Sequence, residues 1–367
     1  AQGCTARVYY PVVVNPNPTP SISGPSTICA NQNYVYTTPN NAPASSYLWT
    51  ISSNTAGASI VSGANSAAVT VTATTAGGSF DLSVTETIIA TSCATTVTKT
   101  GISVVASPSP SISRVTPAGP LGQACVGQTI TYQTPNVAGH TYQWSVTGGG
   151  SIVGASTNNS VQIQWSASGT QTITLVETQG SCSTTVTQQV NVVAQPSPSI
   201  SGNMAPCSGT DFSYTYQTAN NAGSTYSWSL ATGVNAIGPT TNAAVTVYFS
   251  NSTLDQVSRS LSVTETNSAN CSNSASLNVT VTSTPQPVIT GTSTVCPGQS
   301  INYSLTGGSI LPPSTTYNWS VTGGTITGAN TANNVTIQWT TSGSQTITLV
   351  AANGSCSKTV SYNVTVQ

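Results

Sequence analysis

The residues with chemistry to offer are few, and nine of them are cysteines: Cys4, Cys29, Cys93, Cys125, Cys182, Cys207, Cys271, Cys296 and Cys356. Thiols at recurring intervals, in a chain with 1 histidine and 1 methionine, imply a disulfide framework made in an oxidising compartment. General acid–base catalysis needs titratable groups brought together. Here His140 and 6 carboxylates are scattered along 367 residues. The 5 Lys and Arg cannot neutralise a phosphate backbone or form a basic membrane-surface patch. The expectation is therefore no catalytic residue, no cofactor, no metal site and no nucleic-acid partner.

Three carboxylates nevertheless recur in register. Glu86, Glu177 and Glu265 occupy matching places in Val-Thr-Glu-Thr or Val-Glu-Thr segments, with Ala351 at the same place near the end of the chain. Calcium takes six to eight oxygens, usually from several carboxylates, so one per segment suits a solvated outward position or a strand-end hydrogen bond. His140, in Val-Ala-Gly-His-Thr-Tyr, reads as a surface turn. Trp165 and Trp339 end Val-x-Ile-x-Trp runs whose phase places them in a core.

The elements that carry these residues recur four times. Pro18-Thr-Pro-Ser-Ile-Ser, Pro108-Ser-Pro-Ser-Ile-Ser, Pro196-Ser-Pro-Ser-Ile-Ser and Pro285-Gln-Pro-Val-Ile-Thr follow one another at intervals of 90, 88 and 89 residues. Each precedes a cysteine, a Tyr-x-Trp strand with a core tryptophan (Trp49, Trp144, Trp228, Trp319) and a second cysteine. Inside a unit the apolar period is two, as in Tyr317, Trp319, Val321 and in Val360, Tyr362, Val364, Val366. Gly323-Gly324 and Asn333-Asn334 suit tight hairpins. Seven short strands in about 88 residues describe an immunoglobulin-like β-sandwich. The chain thus reads as all-β, a tandem array of seven-stranded sandwiches: residues 18–107, 108–195, 196–284 and 285–367. Residues 1–17 read as the last strand of a preceding repeat, because Cys4 lies 14 residues before Pro18, as Cys182 does before Pro196.

The pattern Cys-x-Gly-Gln…Tyr-x-Trp-Ser-Val-x-Gly-Gly…Val-x-Ile-x-Trp…Gly-Ser-Cys of the second and fourth units resembles the PKD-like, immunoglobulin-like repeats of Bacteroidota surface proteins. The resemblance covers essentially the whole chain. It implies an exported, surface-displayed protein of the kind found in gliding adhesins, grappling-hook-like filaments and spacer stalks of secreted enzymes, with type IX secretion as the export route.

Two disulfide schemes are open. Pairing within units gives 29–93, 125–182, 207–271 and 296–356. Strand counting sets the two cysteines of a unit at opposite ends of its sandwich, and a disulfide needs Cα atoms within ~7 Å. Pairing between units gives Cys29–Cys182, Cys125–Cys271 and Cys207–Cys356, with Cys4, Cys93 and Cys296 reaching further units.

Charge completes the reading. Charged residues make up 3% of the chain and Ser plus Thr about a third. Edge strands are normally protected by Lys, Pro or bulges, and net charge near zero promotes association. Such a surface suits copies of the chain packing side by side in a multi-chain fibre. No apolar run approaches the ~20 residues of a membrane span. The function expected is a structural segment of an extracellular filament or adhesin at the bacterial cell surface, for attachment, gliding or prey capture. The alternatives are a passive stalk of a larger secreted enzyme or a glycan-binding module using loops such as Pro39–Ser46 and Gly307–Thr316. Those loops hold no aromatic residue. The outside partners expected of such a protein are cell-surface glycans and prey or substratum surfaces.

Overall fold

The computed structural model describes residues 5–41 and 44–367. The expectations that fall on Cys4, Ala42 and Pro43 therefore lie outside the described residues. Every regular element among the described residues is a strand. The chain divides into two compact units, Ala1–Val192 and Val193–Gln367. Each holds two repeats, and each repeat has its own apolar core.

In the first repeat the strands are β1 (Thr27–Cys29), β2 (Asn33–Thr37), β3 (Ser45–Ser52), β4 (Ser59–Ser62), β5 (Ala68–Thr72), β6 (Ser79–Ile88) and β7 (Ala94–Val105). They form two sheets, in the orders β1-β7-β6-β3 and β2-β5-β4. All pairings are antiparallel except β1 with β7. Alternation sets the facing: Phe80, Leu82 and Val84 point inward from β6, against Val69 and Val71 of β5. Trp49 stands between the sheets, and its indole N–H donates to the Ser66 carbonyl at 2.8 Å. The other three units repeat the bond, from Trp144 to Asn158 O, Trp228 to Asn242 O and Trp319 to Ala332 O. A tryptophan fits the core only where its N–H finds an acceptor, and the loop between the two strands that follow the tryptophan strand supplies one each time.

Strand number departs from seven. The second and fourth repeats have eight strands each, Ser113–Val193 and Ile289–Val366, because the first strand divides between the two sheets. The third has six, Tyr214–Thr282, because Ser201 and Cys207 make only isolated bridges to Gln217 and Thr282. In the fourth repeat Ile289–Thr290 pairs with Ser300–Leu305, whereas Thr294–Val295 pairs with Cys356–Val366. The step between sheets in the first repeat falls at Gly24-Pro25, after Ser23 has paired with Thr37. Glycine is required where the chain crosses an aromatic ring. A Cβ on Gly202 would lie 2.3 Å from Tyr216 Cδ1, and one on Gly291 2.2 Å from Tyr303 Cδ1.

The tight-hairpin reading of two turns is corrected. Gly323 precedes Gly324–Ile326, which lies in the sheet opposite Thr316–Val321, so the Gly-Gly pair carries the chain across the sandwich. Gly323 sits at φ 65°, and a Cβ there would fall 2.2 Å from Gln345 Cδ. Asn334 already belongs to the strand Asn334–Trp339, and residues 327–333 form the loop that joins it to Gly324–Ile326. Phase alone does not distinguish a turn within a sheet from a step between sheets.

Candidate functional site: the joints between repeats

The cysteines join different repeats. Cys29 of the first bonds Cys182 of the second, with a Cα–Cα distance of 5.6 Å. Cys207 of the third bonds Cys356 of the fourth, also at 5.6 Å. Cys125 and Cys271 are disulfide-bonded as well, and Cys93 and Cys296 are free thiols. The within-repeat pairs 29–93, 125–182, 207–271 and 296–356 are thereby excluded.

The physical reason is strand direction. β1 runs parallel to β7 and places Cys29 beside Val105, at the end of that strand. Cys93 immediately precedes its start, and the 12 residues of β7 lie between. At ~3.3 Å per residue this separates the two thiols by roughly 40 Å. Val295 likewise pairs with Val366, which leaves Cys296 at the far end of the 11-residue strand that starts at Cys356.

Polar contacts surround the bonds. Between the first and second repeats Ser181 Oγ donates to the Thr27 carbonyl at 3.3 Å. Between the third and fourth, Lys358 pairs with Asp211. Ser314 offers its backbone N–H and its hydroxyl to the Asp255 carboxylate, both at 2.8 Å. The buried Asn353 amide donates to Ser283 O at 3.0 Å and Asp255 O at 3.1 Å. Asn267, on the corresponding turn of the third repeat, donates to the linker carbonyl of Ala194 at 3.1 Å. Sequence reading missed these residues. The available signal was rarity: Asp211, Asp255 and Lys358 are three of the few charges in the chain.

Of the two places expected for the recurring carboxylates, the solvated outward position is corrected and the hydrogen-bonded one is found. Glu86, Glu177 and Glu265 are 1–2% exposed and hydrogen-bonded. Glu86 Oε1 accepts from Asn41 Nδ2 at 2.8 Å, and Glu265 Oε1 accepts from Asn221 Nδ2 and Ser224 Oγ, each at 2.8 Å. Glu177 meets His140 Nδ1 at 2.6 Å, so His140 is not an exposed turn residue but a largely buried one, 9% exposed at its side chain. Each Glu shares the inward phase of its strand with Leu82 and Val84 or their counterparts, and that parity was readable. The carboxylate clamps the loop before the Tyr-x-Trp strand. The strand's own tyrosine adds a second tie, Tyr47 OH to Pro39 O, Tyr142 OH to Pro135 O and Tyr226 OH to Ala219 O.

The tryptophans Trp49, Trp144, Trp228 and Trp319 are all buried, as are Trp165 and Trp339, which meet Tyr132 and Tyr303 edge-on. Phe249 fills the equivalent space beside Tyr216. Burial raises the phenols of Tyr36, Tyr132, Tyr216 and Tyr303, that of Tyr216 to about 12. The Asp81 carboxyl is held low, first by the Gly101 backbone N–H and then by the Ser53 hydroxyl. Among the described residues no group of three or more His, Cys, Asp or Glu is placed to hold a metal. No helix among them is long and apolar enough to cross a membrane. Disulfides of this kind mark a protein of an oxidising, extracellular setting.

No curated protein sequence matches the chain. Among solved structures, the ICAM-5 D1–D4 ectodomain fragment is 10% identical, over 95% of this chain and 99% of that one, at a TM-score of 0.36. Protocadherin gamma B2 extracellular cadherin domains 3–6 are 11% identical, over 95% and 100%, at 0.22. A marsupial T cell receptor is 10% identical, over 68% and 98%, at 0.30. The PKD-like domain model matches four times in succession, at residues 15–104, 111–192, 193–281 and 282–366. On those four matches and the repeated strand order, the chain belongs to the PKD-like domain family.

Proposed function

We propose that this chain is a structural segment of an extracellular filament or adhesin on a Bacteroidota-type cell surface, reached through type IX secretion. It works by length, stiffness and side-by-side packing with copies of itself, not by catalysis. The observation that carries this reading is the pair of staples Cys29–Cys182 and Cys207–Cys356, each fastening one repeat to the next. A disulfide inside a sandwich would stabilise that sandwich. A disulfide between two sandwiches resists their separation and rotation, which matters to an object under load.

The disposition of charge supports lateral packing. Glu86, Glu177 and Glu265 are committed, from buried strand positions, to holding loops, and Asp211, Asp255 and Lys358 to a joint. Arg114 donates to the carbonyls of Pro117, Pro120 and Gln123, and Asp81 accepts from Gly101. Little charge is left over for the strand edges, where it would oppose association. The outer walls present Ser, Thr, Asn and Gln, whose contacts are insensitive to salt.

The test is electron microscopy and sedimentation of the oxidised, unglycosylated chain at high concentration. Multi-chain fibres whose axial period is a whole number of repeats are the expected result. A monomer at every concentration reached would sink lateral assembly. Fibres that dissolve in moderate salt would contradict the uncharged contacts.

A further inference from the structure

We propose that residues 5–14 together with Cys93 form a docking site for one further PKD-like sandwich that is open at its last strand. The segment enters that sandwich as the missing strand, and a cysteine at the partner's counterpart of Cys296 bonds Cys93. This deepens the stapled-array reading and rests on it.

Two independent observations point to the same partner. The first is the segment itself. Val8, Tyr9, Tyr10, Val12, Val13 and Val14 are 73–87% exposed, and no strand among the described residues pairs with them. Their spacing matches a last strand: Cys4, Val8, Tyr10, Val12 and Val14 align with Cys356, Val360, Tyr362, Val364 and Val366. In the fourth repeat Val360 and Tyr362 pack on the core, and Val364 and Val366 are buried.

Pro11 is compatible with such a strand because of its register. It aligns with Asn363. Thr365 and Gln367 direct their N–H groups to Ser293 O and Val295 O, on the side away from Gly343–Asn353. By alternation Asn363 points its N–H the same way, beyond the end of Thr294–Val295, and not into the ladder. Proline at that register removes no ladder bond, which is where strands tolerate it.

The second observation is Cys93. It is the second cysteine of its repeat, and its counterparts Cys182, Cys271 and Cys356 are disulfide-bonded and at most 1% exposed. Cys93 is free and partly exposed. In both Cys29–Cys182 and Cys207–Cys356 the second cysteine takes the first cysteine of the repeat ahead of it. For Cys93 the unit ahead is the one whose last strand is residues 5–14. Cys296 is likewise a free thiol, and it is a first cysteine of its repeat.

Bond formation joins two thiols with loss of two protons and two electrons. Oxidised glutathione is the oxidant of the test: one thiolate attacks it and releases reduced glutathione, and the second thiolate displaces the other half.

The test uses two full-length variants. In the first, residues 356–366 are replaced by the eleven residues of positions 4–14, with a control in which the inserted segment is shifted by one residue. The expected product is folded, has Cys207 bonded to the introduced cysteine, and unfolds within a few degrees of the parent, while the shifted control loses the fourth-repeat transition. A free Cys207 with a lost transition, or a control as stable as the in-register variant, overturns the proposal. In the second, a copy of residues 285–355 is joined ahead of Cys4 and the chain is oxidised with glutathione. Peptide mapping is expected to find Cys93 bonded to the added counterpart of Cys296. A Cys93 that iodoacetamide still alkylates overturns it. Neither variant tests fibre assembly, so failure here and failure of the filament reading are separately visible.

Discussion

The staples predict how the chain responds to a pull at its two ends. Cys29–Cys182 spans 153 residues and Cys207–Cys356 spans 149. Load reaching Cys29 crosses to Cys182 through sulfur and bypasses everything between, and the same holds from Cys207 to Cys356. About 300 of the 367 residues are thus removed from the force path. At ~3.4 Å per extended residue this hides roughly 1,000 Å of contour and leaves roughly 200 Å that can extend. Had the bonds been within repeats, each would have sheltered only its own sandwich and left every joint in the path. Single-molecule force spectroscopy distinguishes the cases. The oxidised chain is expected to extend by no more than the residual length. With dithiothreitol the same chain should show four steps of roughly 250 Å, one per repeat, at ~3.4 Å per residue less the folded length. Four full steps from the oxidised chain would refute the reasoning.

Three further outcomes follow from the packing. Gly202→Ala places a methyl 2.3 Å from the Tyr216 ring and should destabilise the third repeat by about 1–3 kcal/mol, whereas Gly307→Ala, with open space around it, should be close to neutral in thermal unfolding. Glu265→Ala leaves Asn221 Nδ2 and Ser224 Oγ without their shared acceptor, which at about 1.5–3 kcal/mol for a hydrogen bond to a charged group should lower the midpoint of that repeat. In alkaline titration the phenol of Tyr216 is raised from 10.0 to about 12, so above pH 10 the folded chain binds more protons than the unfolded one. The stability from this group is complete below pH 10 and is lost as pH rises through about 12. Tyr36, Tyr132 and Tyr303 shift in the same direction, so phenolate absorbance should show a late class of tyrosines whose ionisation coincides with loss of the β-sheet signal. A titration in which every tyrosine ionises together near pH 10, with the fold intact, would contradict their burial.

The repeat count, the sheet class and the buried tryptophans were legible in the residues alone, because period-two alternation and the recurring Tyr-x-Trp are local signals that each strand carries by itself. Parity would also have placed Glu86, Glu177 and Glu265 inward with Leu82 and Val84. Sequence leaves a solvated position and a strand-end hydrogen bond both open for them, because their partners Asn41, His140 and Asn221 lie some forty residues away along the chain. The disulfide scheme stood undecided between two pairings. The tertiary structure settled it through the parallel pairing of β1 with β7, which sets Cys29 a full strand length from Cys93 and against the next repeat. Gly323-Gly324 became a step between sheets for a similar reason, since which sheet a strand joins depends on its hydrogen-bonded neighbours and not on its own residues. Sequence by itself determined what each segment is and which side of it is apolar. Which ends meet, and therefore which sulfurs bond, is a property of strand order and direction, and these exist only once the segments have packed.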